Sequence, residues 1–358
     1  MRKLILHIGL HKTGTSAIQK HLVSIEDKLS KMGWSFFRIR KDGKLSNVGN
    51  INTWIDFGGI GNDFSASIDN GLYDALARTG GNIIASCEEL SWLDPNQISD
   101  MKDHLSTIFT DIKIICYVRR QDEHLISHYK QGFRYPHSSA RMFYSSINPL
   151  KPLWQDYYRC YLDYYQKAEA WASMFGATNV IFKEFNREKL HDGNSASDFL
   201  KTLELEVSGG SHAKNNTGVN EALTFHQCLV NDATFAARQE LWYELGGQTF
   251  SKNLLLKSEA VDNGNPLDNF KSEVLKRFSQ SNIDLKKYIP DLSDGWIVDG
   301  EISMVSNTIP RTNENNIELY RESLISLVSY FDELSLYQFL KFKIRKFKNR
   351  HVSGIRKR

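Results

Sequence analysis

Residues 4–16 read Leu4-Ile5-Leu6-His7-Ile8-Gly9-Leu10-His11-Lys12-Thr13-Gly14-Thr15-Ser16, and this stretch decides the fold. Leu4 to Gly9 is a short apolar run ending in glycine, which predicts a buried strand. From Ser16 the period changes. Ile18, Leu22, Ile25, Leu29 and Met32 recur at steps of four, three, four and three. They form one face of an amphipathic helix, with Gly33 placed to end it. The chain therefore opens strand, tight loop, helix. The loop has the chemistry of an anion cradle. Gly14 lets the backbone turn tightly and approach a ligand. The N–H groups at the helix start point outward with the positive end of the helix dipole behind them. Thr13, Thr15 and Ser16 add hydroxyls, and Lys12 adds a mobile point charge. A phosphate or sulfate group suits such a site. The loop is not a Walker A motif, whose lysine follows the second glycine; here Lys12 precedes Gly14.

The same alternation continues outward. Strands are expected at 34–39, 83–87, 113–118 and 179–184, the clearest being Lys113-Ile-Ile-Cys-Tyr-Val118. Helices are expected from Ser65 to Ala77, from a Ser99 cap to Phe109, after Val118 along Leu125, Ile126, Tyr129 and Phe133, and over 153–175. Residues 41–63 and 135–150 read as long loops, the best places for lids. Strand–helix alternation implies an α/β fold, a mostly parallel sheet flanked by helices, with ligands at the carboxyl ends of the strands. After residue 220 the pattern is helical without strand rhythm.

Composition sets bounds. With 41% hydrophobic and 24% charged residues in 358, the chain can bury a full core, which excludes disordered and collagenous classes. No apolar run approaches the roughly 20 residues of a membrane helix, and the apolar start is too short for a signal peptide. The four cysteines, Cys87, Cys116, Cys160 and Cys228, form no CxxC pair and read as buried thiols of a reducing, cytoplasmic compartment. The net charge of +3 hides an asymmetry: residues 341–358 hold nine of the 45 Lys/Arg and no acid, so the remaining 36 bases face 42 acids. Any anion site in the body is therefore built locally, and nucleic-acid binding is not expected. The tail interleaves Phe342, Ile344 and Phe347 with bases. Its readings are a solvated terminus, a contact with the inner face of an anionic membrane, or a contact with a polyanion.

Lys12-Thr-Gly-Thr-Ser16 after a first strand resembles the 5′-phosphosulfate loop of the sulfotransferases that use 3′-phosphoadenosine 5′-phosphosulfate (PAPS), and His7 to Gln19 is similar to their bacterial and carbohydrate-directed members. A second element agrees. Strand 113–118 ends in Arg119, and Ser127 lies eight residues on, inside the next helix; the family's 3′-phosphate motif has this shape. The resemblance covers about residues 1–230 and implies a P-loop-like α/β domain over 1–340, its cofactor core at about 1–230, a helical region at about 220–340, and the tail at 341–358. It implies that Lys12, Thr13, Gly14, Thr15 and Ser16 hold the 5′ end of PAPS, that Lys12 offsets charge on the bridging oxygen, and that Arg119 and Ser127 hold the 3′-phosphate. Arg120 sits where relatives often carry another residue. Lys214 and Asn216, in the loop 213–218, resemble a late segment that closes on the cofactor.

Transfer to a hydroxyl needs a base at the end of a strand near the first loop. Glu88 is the choice, with Glu89 the alternative; both follow strand 83–87. His7 reads as a core histidine, while His11 is placed to touch sulfate or acceptor. His124 and His128 have metal-ligand spacing with Glu123 nearby but lack a third ligand, so no metal is expected. The aromatics from Trp154 to Trp171 read as core packing with tyrosine rims, or as a sugar-stacking wall. The leading reading is a PAPS-dependent sulfotransferase acting on a hydroxyl, on a glycan or glycolipid. The alternatives are a P-loop-like small-molecule kinase and a non-catalytic nucleotide- or glycan-binding relative.

Overall fold

The computed structural model describes residues 2–58, 65–134, 160–205 and 268–298. In chain order the strands are β1 Lys3–His7, β2 Trp34–Phe37, β3 Ile55–Gly58, β4 Ser65–Ile68, β5 Asn82–Ser86, β6 Asp111–Val118 and β7 Val180–Glu184. Five of them form one sheet in the order β2-β5-β1-β6-β7, parallel throughout. This is the α/β architecture that the alternation implies. β1 lies at the centre, His7 in register with Ser86 on one side and Ile115 on the other. β6 carries an unbroken apolar run because helices cover both faces of a parallel sheet; Ile114 to Val118 are fully buried.

The helices are α1 Thr15–Ser24, α2 Glu26–Lys31, α3 Gly71–Arg78, α4 Pro95–Ser106, α5 Gln121–Arg134, α6 Tyr164–Phe175, α7 Ser195–Thr202, α8 Asp268–Arg277 and α9 Ser279–Leu285. Four differences from the sequence expectations have local causes. The single helix expected up to Met32 is two, broken at Ile25 (φ −113°). There Ser24 Oγ donates to the His21 carbonyl at 2.7 Å, competing for a backbone acceptor. The apolar face still holds, with Ile18, Leu22, Ile25 and Leu29 buried, but Met32 is 43% exposed. Ser65–Ile68 is a strand paired antiparallel with β3, and the helix expected from Ser65 begins at Gly71. α4 starts at Pro95, not after Ser99: Asp94 accepts from the Gln97 N–H and Gln97 reaches back to the Asp94 N–H, a capping box with proline in the first turn. Within 153–175, Asp163 interrupts the helix and caps α6 by accepting from the Gln166 N–H. Cys87 and Cys116 are buried as expected, whereas Cys160 is exposed.

The chain divides into two compact units. The first comprises Met1–Leu125, Leu153–Asn216 and Phe270–Ile302, and includes all seven strands. The second comprises Ile126–Pro152, Thr217–Asn269 and Ser303–Arg358; of it, residues 126–134 and 268–269 are described. Cys228, the loops 135–150 and 213–218 and the tail at 341–358 lie outside the described residues.

Within the first unit the segment 279–297 locks onto the ends of β6 and β7. Gln121 and Asn282 exchange amide hydrogen bonds of 2.7 and 3.2 Å, and Asn282 also donates to the Trp296 carbonyl at 2.8 Å. Glu184 accepts from Trp296 Nε1 (2.8 Å) and from the hydroxyl and N–H of Ser293, and pairs with Lys189 at 2.9 Å. These donors hold its carboxyl below the usual range against the opposing effect of burial. Asn282→Ala takes the donor from the buried Gln121 Oε1 and leaves Gln121 Nε2 only its 3.4 Å bond to the Leu162 carbonyl; the expected loss is about 1–3 kcal/mol, read as a lower urea midpoint at unchanged slope.

Candidate functional site

Three neighbouring strands end side by side, and each delivers one part of the site. From β1 the chain turns into α1 through residues 8–14. Leu10 N–H reaches the Tyr117 carbonyl at 3.3 Å, so the loop stays tied to β6. Two residues then take left-handed backbone, Lys12 (φ 68°) and Gly14 (φ 81°). At Gly14 only glycine fits. A Cβ there meets Ser195 Oγ at 2.5 Å and the Phe185 ring at 2.8 Å. Lys12 adopts the same region with a side chain, at a steric cost of roughly 1–2 kcal/mol. The N-terminus of α1 carries no side-chain cap, so its first-turn N–H groups are left to a ligand.

The threonine hydroxyls do not serve as expected. Thr13 Oγ1 and Thr15 Oγ1 both donate to the Leu10 carbonyl, at 2.6 and 3.3 Å, and both residues are buried. They brace the loop from inside. What the loop offers an anion is its backbone, the exposed Ser16 and the Lys12 ammonium.

β6 delivers Arg119 and Arg120. Arg119 donates through Nε to Glu123 at 3.1 Å, and its two terminal nitrogens donate to nothing among the described residues. Arg120 is occupied by structure: it pairs with the buried Asp122 through two bonds of 2.8 and 3.1 Å, reaches Glu123, and contacts the Gly295 carbonyl. Ser127 is half-buried on α5 and belongs to the second compact unit. Lys214 and Asn216 lie outside the described residues.

β5 delivers Glu88 and Glu89. Glu88 Oε2 accepts from Gln19 Nε2 at 3.1 Å and from Asn50 Nδ2 at 3.0 Å. Burial, and next the charge of Glu89, push its carboxyl up to about 8. Glu89 instead accepts from the Cys87 thiol at 3.3 Å. Sequence reasoning missed Gln19 and Asn50. The available signal was a polar residue at 19 beside the apolar stripe of Ile18 and Leu22.

A packed aromatic layer adjoins these ends. His11 Nδ1 lies 2.9 Å from the Tyr161 hydroxyl, and the Tyr161 ring stacks on Trp92 at 3.7 Å. His124 meets the same ring edge-on, and Lys167 sits over it at 5.4 Å while donating to the Ser91 carbonyl. Burial lowers the basicity of His11 and holds His124 well below the usual imidazole range. The charges of His11, Arg119, Lys12 and Lys167 add to the effect on His124. Burial also brings Lys167 down to about 8. Tyr161, Tyr164 and Trp171 are fully buried, so they are core and not a sugar-stacking wall; Trp154, Tyr157 and Tyr158 lie outside the described residues. His7 is a buried core histidine, brought down to about 3 by burial. Among the described residues no group of three or more His, Cys, Asp or Glu gathers in a metal-ligand arrangement, and no helix is long and apolar enough to cross a membrane.

No family model matches the chain. An uncharacterised protein of Archaeoglobus fulgidus is 28% identical over 162 residues, which are 45% of this chain and 41% of that protein. The match thus spans about two fifths of the relative's own length. Among solved structures, a sulfotransferase from Alicyclobacillus acidocaldarius aligns with a TM-score of 0.37 at 15% identity, over 65% of this chain and 93% of that one.

The raised Glu88 carboxyl has a consequence for stability. Its folded value of about 8 exceeds the ordinary 4.5. Its contribution is therefore fully present below about 4.5 and is lost as pH rises through about 8. Glu88→Gln, which does not ionise, is expected to melt above the parent at pH 9 and to lose that advantage at pH 4, read by thermal scans. Gly14→Ala brings both the clash and the left-handed strain and is expected to cost about 1–3 kcal/mol in denaturant unfolding.

Proposed function

We propose that the protein is a sulfotransferase that moves a sulfuryl group from PAPS to a hydroxyl acceptor. The observation that carries the reading is the convergence at three adjacent strand ends: an uncapped helix start with Lys12 after β1, a guanidinium after β6 whose terminal nitrogens have no hydrogen-bond partner among the described residues, and a carboxyl poised near neutrality after β5. The residues fit such a donor. The glycine-limited turn lets an anion reach the α1 N–H groups, and Arg119 has a fork suited to a second phosphate.

In this reading Lys12 and the backbone of 13–16 hold the 5′ end, and Arg119 holds the 3′-phosphate. Lys214 and Asn216 belong to the closing loop. PAPS supplies the activated sulfuryl group. Glu88 takes the acceptor's proton as the new S–O bond forms and the bond to the 5′-phosphate breaks. Lys12 offsets the charge that develops on the departing phosphate oxygen. Positioning and charge compensation supply most of the rate, as in phosphoryl transfer. The carbohydrate nature of the acceptor rests on the family resemblance alone.

Titration calorimetry with adenosine 3′,5′-bisphosphate, ADP and ATP–Mg²⁺ tests the reading without knowledge of the acceptor. The 3′,5′-bisphosphate is expected to bind most tightly; preference for ATP–Mg²⁺ overturns the reading in favour of a kinase. Arg119→Ala is expected to weaken bisphosphate binding by about 2–3 kcal/mol, the loss of a charge-assisted contact. Lys12→Ala is expected to abolish transfer while leaving the melting temperature near the parent's. Because Glu88 must be ionised to act, transfer is expected to rise with pH through about 8.

A further inference from the structure

Two amides converge on one oxygen of Glu88. Gln19 Nε2 and Asn50 Nδ2 both donate to Oε2, at 3.1 and 3.0 Å. The Glu88 backbone N–H also acts on this carboxyl. Both amides are themselves held. Gln19 is 2% exposed, and its nitrogen also donates to Ser86 Oγ at 3.1 Å. An amide nitrogen only donates, so Ser86 Oγ accepts there, and His7 Nδ1 lies 2.9 Å from the same oxygen. A fixed line of hydrogen bonds thus runs from the core at His7 through Ser86 and Gln19 to Glu88. Asn50 comes from the opposite side, its Oδ1 accepting the Asn52 N–H at 2.6 Å. Gly49 (φ 81°) lets that turn approach: a Cβ there lies 2.6 Å from the Phe36 ring and 3.2 Å from Gln19 Cβ.

We infer that Gln19 and Asn50 are positioning residues that tether Oε2 of Glu88 and reserve Oε1 to receive the proton of the acceptor hydroxyl. The inference rests on the reading of Glu88 as base. In the step, the acceptor O–H bond breaks, an Oε1–H bond forms and the carboxylate becomes neutral. Before it, the Glu88 backbone N–H and the Gln19 amide favour the charged carboxylate against burial and against Glu89, and the Asn50 amide donates to the same oxygen as Gln19. The titratable groups that face Glu88 are Glu89 and the Cys87 thiol on its own segment and the Tyr161 hydroxyl from the segment before α6.

The test is an NMR titration of the full chain labelled with ¹³C at the glutamate side-chain carboxyl, with Glu88→Gln assigning the resonance. Gln19→Met removes the donor at similar volume. Asn50→Asp keeps the acceptor for the Asn52 N–H, removes the donor and adds a charge. Both are expected to move the Glu88 midpoint upward, Gln19→Met by about one pH unit, a tenfold gain in proton affinity, and Asn50→Asp by more. A midpoint that stays or falls in either folded variant overturns the inference. If Gln19→Met does not fold, Asn50→Asp reads the other donor, from the turn at 49–52. The titration uses free protein. An upward shift without bisphosphate binding upholds the tether and sinks the sulfotransferase reading; binding with an unmoved midpoint does the reverse.

Discussion

The site depends on one steric constraint, the passage of the chain from β1 into α1 between Ser195, Phe185 and the end of β6. Gly14 is in contact on both sides, and its left-handed backbone is the conformation that lets α1 begin there. Ser195 Oγ donates back to the Gly14 carbonyl at 3.3 Å, so the start of α7 is pinned to the same turn. Thr13 and Thr15 close it from within through the Leu10 carbonyl. A loop braced this way keeps its outward N–H groups fixed before any ligand arrives, which is what lowers the ordering cost of binding. The left-handed Lys12 is the strained member.

Around that turn, burial decides the protonation states. His7, His11 and His124 are all held toward neutrality, and the same desolvation raises Glu88. The body of the chain is acidic overall, so a dianionic ligand is not attracted by bulk charge. The charges of Arg119, Lys12 and Lys167 all act against protonation of His124. Neutral imidazoles among these cations let the positive charge stay concentrated at the strand ends.

The segment 279–297 is part of the same frame, although it lies far along the chain. Its Asn282 fixes the first residue of α5 and its Trp296 and Ser293 fix the last residue of β7. Arg120, next to Arg119 in sequence, is drawn to Asp122 and to the Gly295 carbonyl. Two adjacent arginines thus differ: Arg120 is held through both Asp122 oxygens, whereas Arg119 is bonded only through Nε among the described residues.

Much of this was legible in residues 4–16 and in the alternation that follows. β1, β5, β6 and β7 are short β-rich runs whose burial on both faces leaves a continuous apolar signature, and the stripe of Ile18, Leu22, Ile25 and Leu29 is visible as period alone. Short-range chemistry was less legible where signals are weak: Ser65–Ile68 has too little apolar character to announce a strand, while the Asp94-Pro95 start of α4 was written in its capping residues and overlooked. Partner choice belonged to the tertiary structure. Glu88 and Glu89 are equivalent as sequence; they differ because Gln19 and Asn50 arrive from 69 and 38 residues away to meet one of them. The inward turn of the threonines, the burial of Tyr161 under Trp92 and the clamp on Glu184 have the same origin. Local propensity and periodicity act over a few residues and so can be read along the chain. The environment that tunes a carboxyl or spends a hydroxyl is assembled from distant segments, and exists only once they are packed.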